Sequence, residues 1–86
     1  MKLYKCEDGK CNASGSVIRE LRESAGWSQE QLAARLQLLG LSLNQKAISR
    51  IETGDRVVPD FELPFFSKVF NVPLCRLLRI DTYKCL

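Results

Sequence analysis

Histidine is absent from the 86 residues. Its absence removes the commonest general base near neutral pH and the commonest zinc ligand together. There is also no phosphate-binding glycine loop and no nucleophile set beside a base, so the chain reads as a non-enzyme with no cofactor. Aromatic residues make up only 8% of the chain, with one tryptophan among them. No apolar run approaches the roughly 20 residues needed to span a bilayer, and Met1-Lys2-Leu3-Tyr4 leads into polar residues rather than a signal-peptide core. A soluble, cytoplasmic protein without membrane contact is expected. Charge of one sign is scarce too: 13 Lys and Arg stand against 10 Asp and Glu, a net charge of +3. Attraction for a polyanion has to come from local clustering.

What is present is enough apolar material, 45% of the residues, for one core and one domain. The chain divides into an N-terminal arm over 1–15, a helical domain over 16–79 and a tail over 80–86. In the arm, Asp8-Gly9 between Glu7 and Lys10 suits a tight hairpin turn. The short echo of Tyr4-Lys5-Cys6 in Tyr83-Lys84-Cys85 suggests a short terminal β pairing.

Between arm and tail the apolar residues recur at helical spacing, and an all-α, five-helix domain is predicted. The first helix, about Ser16 to Ala25, carries Val17, Ile18, Leu21 and Ala25, with Gly26 as its stop. Ser28 and Gln31 form a capping box for a second helix, about Ser28 to Leu39, with Trp27 and Leu32 as its hydrophobic staple. Its inward side is Leu32, Ala33, Leu36 and Leu39, and Gly40 ends it. The third helix begins at either Ser42 or Asn44, buries Ala47, Ile48 and Ile51, and stops at Gly54. Asp60 is placed to cap a fourth helix with Leu63, Phe66, Val69 and Phe70 inward. Pro73 opens a short fifth helix with Leu74, Leu77 and Leu78 inward.

The run Ile18-Arg19-Glu20-Leu21-Arg22, then Gly26-Trp27-Ser28-Gln29-Glu30-Gln31-Leu32-Ala33, then Ile48-Ser49-Arg50-Ile51-Glu52-Thr53-Gly54, resembles the XRE family of lambda-repressor-like helix-turn-helix domains. The resemblance spans about Val17 to Leu78. It implies a transcriptional regulator, a repressor by expectation, that binds double-stranded DNA as a homodimer on a pseudo-palindromic operator. The third helix would lie in the major groove. By position, Gln45, Lys46, Ser49 and Arg50 would face base edges, where Gln suits adenine and Arg or Lys suits guanine. Gln29 would clamp a phosphate and brace the recognition helix, with Ser28, Asn44, Thr53 and Arg56 also near the backbone. Arg22 and Glu52 match an ion pair that fixes the recognition helix. The sequence departs from the compact version in having about five more residues between Leu36 and Asn44, which lengthens the second helix, the turn or both.

Other readings compete. A polar helix face can be merely solvated, although its place in this pattern favours DNA. Trp27, Phe66 and Phe70 read as core, whereas Phe61 and Phe65 fall off the main stripe and could join a dimer seam. Dimerisation itself is expected through the fifth helix and tail, on Leu74, Leu77, Leu78 and Ile80. Cys6, Cys11, Cys75 and Cys85 could bind zinc or form a disulfide, with free thiols the default in a reducing cytosol. A protein-interaction module with a protein partner, or a thiol- or metal-responsive regulator, are the alternative functions on the same fold.

Overall fold

Local signals set most of the helix ends in the computed structural model, which describes Cys6 and residues 9–80. Among these residues there are five helices and no strand: α1 (Gly15–Ala25), α2 (Gln29–Leu39), α3 (Gln45–Thr53), α4 (Leu63–Phe70) and α5 (Leu74–Leu77). The expected all-α, five-helix architecture is present. The suggested pairing of Tyr4-Lys5-Cys6 with Tyr83-Lys84-Cys85 falls, Cys6 excepted, outside the described residues.

The capping box at α2 is complete. Ser28 Oγ accepts from the Gln31 N–H at 3.0 Å, and Gln31 Oε1 accepts from the Ser28 N–H at 2.8 Å. A cap of this kind is worth about 1 kcal/mol. Of the two starts open to the third helix, Asn44 takes the role: its Oδ1 accepts from the Ala47 N–H at 2.8 Å. The extra residues before it are divided between helix and turn. α2 continues to Leu39, the Leu41 N–H donates back to the Leu36 carbonyl at 3.0 Å, and Leu41 turns into the core.

Several expectations need correction. Asp60 does not cap α4: residues 60–62 form a turn and the helix starts at Leu63, with Pro64 in its first turn where a missing N–H does no harm. Glu62 occupies the cap position, but its carboxylate is spent on Arg56 rather than on helix amides. α5 is a single turn and cannot bury a full stripe. Leu77 is buried, while Leu74 and Leu78 are exposed. Ala25 and Leu39, at the last residues of α1 and α2, are also exposed.

The core gathers Val17 and Ile18 of α1, Leu32 and Leu36 of α2, Leu41, Ile48 and Ile51 of α3, Phe66 of α4 and Leu77 of α5. Each such side chain stabilises the fold by about 1.5–3 kcal/mol relative to exposure. Trp27, in the α1–α2 turn, stacks on Phe70 with ring centroids 5.7 Å apart, and the Arg35 guanidinium lies over the Trp27 ring at 4.2 Å from its centroid. α3 packs against both α1 and α2, and α4 packs against α2. α1 meets α3 so closely that a Cβ at Gly15 would sit 2.1 Å from the Ile51 carbonyl oxygen. No helix among the described residues is long and apolar enough to cross a membrane.

Candidate nucleic-acid interface

α2 and α3, joined by the turn through Gly40, place the predicted base-facing residues on one outward side of α3. Gln45, Lys46 and Arg50 are exposed and Ser49 is half-buried, while Ile48 and Ile51 on the opposite side enter the core. The alternation follows from a 3.6-residue period: the apolar stripe fixes which four side chains must face out.

Behind that face runs a chain of polar side chains. Arg22 Nε donates to Glu52 Oε2 at 2.7 Å, and Nη2 donates to Oε1 at 3.1 Å. The third donor, Nη1, reaches the Trp27 carbonyl at 2.8 Å. Gln29 Nε2 donates to Glu52 Oε1 at 3.0 Å, and Gln29 Oε1 accepts from Gln45 Nε2. The sense of each link is forced. An arginine only donates and an ionised carboxylate only accepts, so Gln29 must turn its NH₂ toward Glu52 and its oxygen toward Gln45. Gln45 must then present its NH₂ to Gln29, which leaves Gln45 Oε1 and one N–H for an outside partner. The Arg22–Glu52 pair and the bracing of the recognition helix by Gln29 were both legible from the resemblance, whereas the Glu52 oxygen shared by Arg22 and Gln29 was not. Glu52 is buried, and its hydrogen bond holds the Arg22 guanidinium above its ordinary pKa, outweighing the opposing effect of burial.

The predicted phosphate-facing residues divide into two groups. At the N-terminal side, Ser28 and Asn44 cap their helices and are exposed, and half-buried Gln29 retains one N–H beyond its bond to Glu52. Two helix N-termini therefore open on the same side, where backbone amides favour an anion. At the other end, Thr53 and Arg56 are already engaged. Thr53 Oγ1 donates to Asp55 Oδ2 at 2.9 Å, and both terminal nitrogens of Arg56 donate to buried Glu62, at 2.9 and 3.1 Å. The Glu62 hydrogen bond raises the Arg56 pKa against its burial. Thr53 has its single donor on exposed Asp55, whereas Arg56 keeps Nε–H and one Nη2 N–H beyond its bonds to Glu62 and the Val57 carbonyl.

One contributor escaped the sequence reading. Asn12, in the arm, donates through Nδ2 to the Ile51 carbonyl at 3.0 Å and to the Arg56 carbonyl at 2.7 Å. A lone Asn in a polar stretch looks like any turn residue, and its partners lie 39 and 44 positions away. Cys6 and Cys11 are free thiols, exposed and half-buried, and Cys75 is a buried small side chain beside the core. Among the described residues no group of three or more Cys, Asp or Glu is placed to hold a metal.

A capped helix, a turn, and a second helix with its polar side outward and its apolar side in the core define a helix-turn-helix protein. The family model described as Helix-turn-helix matches residues 18–77, and the chain belongs to that family, the XRE-type DNA-binding transcriptional regulators. No curated protein and no solved structure matches the chain significantly.

Proposed function

We propose that the protein is a sequence-specific repressor that binds a pseudo-palindromic operator as a homodimer, in the cytoplasm, with α3 in the major groove. The observation that carries this reading is the orientation of Gln45. Held by Gln29, its free oxygen and remaining N–H form the acceptor and donor pair that matches the N6 and N7 edge of adenine. Arg50 and Lys46 supply guanine-reading donors from the same face, and Ser49 lies at its edge. Gln29, Ser28 and Asn44 take phosphates at the N-terminal side, and contacts there position the helix without specifying sequence. Thr53 and Arg56 tie the loop after α3 to Asp55 and Glu62, and Arg56 meets a phosphate with the N–H groups those bonds leave over. The two-fold partner docks on the exposed Leu74, Leu78 and Ile80, with core-bound Leu77 left out of the seam.

Selection from a random duplex library, with wild type and the Gln45→Ala, Arg50→Ala double variant, tests the proposal. An inverted repeat enriched by wild type is expected, with each lost base contact costing about 1–3 kcal/mol of discrimination in the variant. Absence of enrichment, with only weak binding that vanishes as salt rises, would overturn sequence-specific reading.

A further inference from the structure

The C-terminal end of α3 is held at Glu52 by Arg22 and Gln29, and a second hold on it comes from outside the stretch that matches the family. Asn12 lies at its centre. Besides its two donations to the Ile51 and Arg56 carbonyls, its Oδ1 accepts from the Gly15 N–H at 2.8 Å. One amide thereby joins the first turn of α1, the last turn of α3 and the loop that follows, using both of its N–H groups. Beside it the Cys11 N–H donates to the Gly54 carbonyl at 2.8 Å. Gly54 adopts φ 87°, and the stem of Lys10 lies over it so closely that a Cβ there would sit 2.7 Å from Lys10 Cγ. The arm is itself closed on this side: the Cys6 N–H donates to the Lys10 carbonyl and the Gly9 N–H to the Cys6 carbonyl, both at 2.8 Å.

Carbonyls in the last turn of a helix have no partners within the helix, so what satisfies them fixes where that turn lies. The Arg50 carbonyl takes the Asp55 N–H at 2.8 Å, and the Ile51 carbonyl takes both the Gly54 N–H at 3.1 Å and Asn12 Nδ2 at 3.0 Å. Here the turn contains Arg50, one residue before Ile51. We infer that Asn12 is a positioning residue for DNA reading, and that residues 9–15 belong to the reading unit. The arm joins the Arg22–Glu52 pair in setting the C-terminal end of α3, and with it the angle at which Arg50 meets a base edge, while Gln29 sets Gln45 at the other end. This rests on the DNA-binding function proposed above and extends it to a segment that the family match over 18–77 does not include.

Asn12→Asp is the sharpest test, because it is nearly isosteric. The carboxylate keeps the acceptor for the Gly15 N–H at a helix N-terminus, where negative charge is favoured. It replaces two donations by lone pairs facing two carbonyl oxygens. Asn12→Ser, which can keep the same cap but is too short to span both carbonyls, serves if the aspartate variant does not fold. Binding to the enriched duplex and to a scrambled one is measured well below the melting temperature, alongside amide hydrogen exchange. A variant that melts cooperatively is expected to bind the enriched duplex about tenfold more weakly and the scrambled one within about twofold of wild type. Exchange at the Gly54 and Asp55 amides should speed about tenfold while that of Leu36 stays unchanged. A folded variant with wild-type affinity and discrimination overturns the role of Asn12 and leaves the DNA reading intact. A wild-type protein that enriches no duplex overturns both, and the exchange data then report only a structural clamp.

Discussion

Glu52 and Glu62 are both buried acids gripped by an arginine fork, yet they act over different distances. Glu52 takes Arg22 from thirty positions away and passes a second contact to Gln29, so three helices meet at one carboxylate. Glu62 takes Arg56 from six positions away and closes the loop between α3 and α4. The arginines differ as well: the Arg22 side chain is 12% exposed and that of Arg56 is 25% exposed. Similar chemistry therefore gives a joint in one place and a local tie in the other. Sequence separation and onward contacts, more than burial of the acid, distinguish them.

That difference can be broken or sharpened by experiment. Arg22→Met strands Glu52 without its countercharge and should cost about 3–5 kcal/mol in urea unfolding, because an unpaired buried charge is the expensive product. Arg56→Met should cost less, about 1–3 kcal/mol, since water reaches that fork more readily and the loop it closes is short. Equal losses from the two variants would show that the ties are equivalent. The smallest expected effect is with pH. Both guanidinium groups have pKa values raised in the folded state, so their contribution is complete below the unfolded-state arginine value and is lost only as pH rises through the higher folded value. Between pH 7 and 9 the melting-temperature gap between wild type and each variant should stay constant. A gap that changes over this interval would reveal a further titrating group in the pair.

The same contrast marks what could be read from the sequence. Ser28 with Gln31, Asn44, and the apolar stripe of α3 are local signals, with cause and consequence within one or two turns, and the capping and face assignments they predict are present. The start of α4 was not legible, because Glu62 sits where a cap belongs and gives its carboxylate to Arg56 instead. Leu74 and Leu78 read as inward on helical spacing, but a one-turn helix has no second turn to carry a stripe. The outward set on α3 could be listed from its resemblance to a family, whereas the hydrogen-bond sense that orients Gln45 depends on four residues from three helices. The contacts of Asn12 depend on chain closure across some forty residues, for which no periodicity exists.

The stack of Trp27 on Phe70, with Arg35 above it, has an optical consequence. Trp27 is the chain's only tryptophan, so intrinsic fluorescence has a single origin, placed where the α1–α2 turn meets the end of α4. Solvent entering that joint changes the emission. Fluorescence thus follows the docking of α4 on the helix-turn-helix pair. Unfolding curves that coincide in fluorescence and circular dichroism would mean that arm and core melt as one cooperative body.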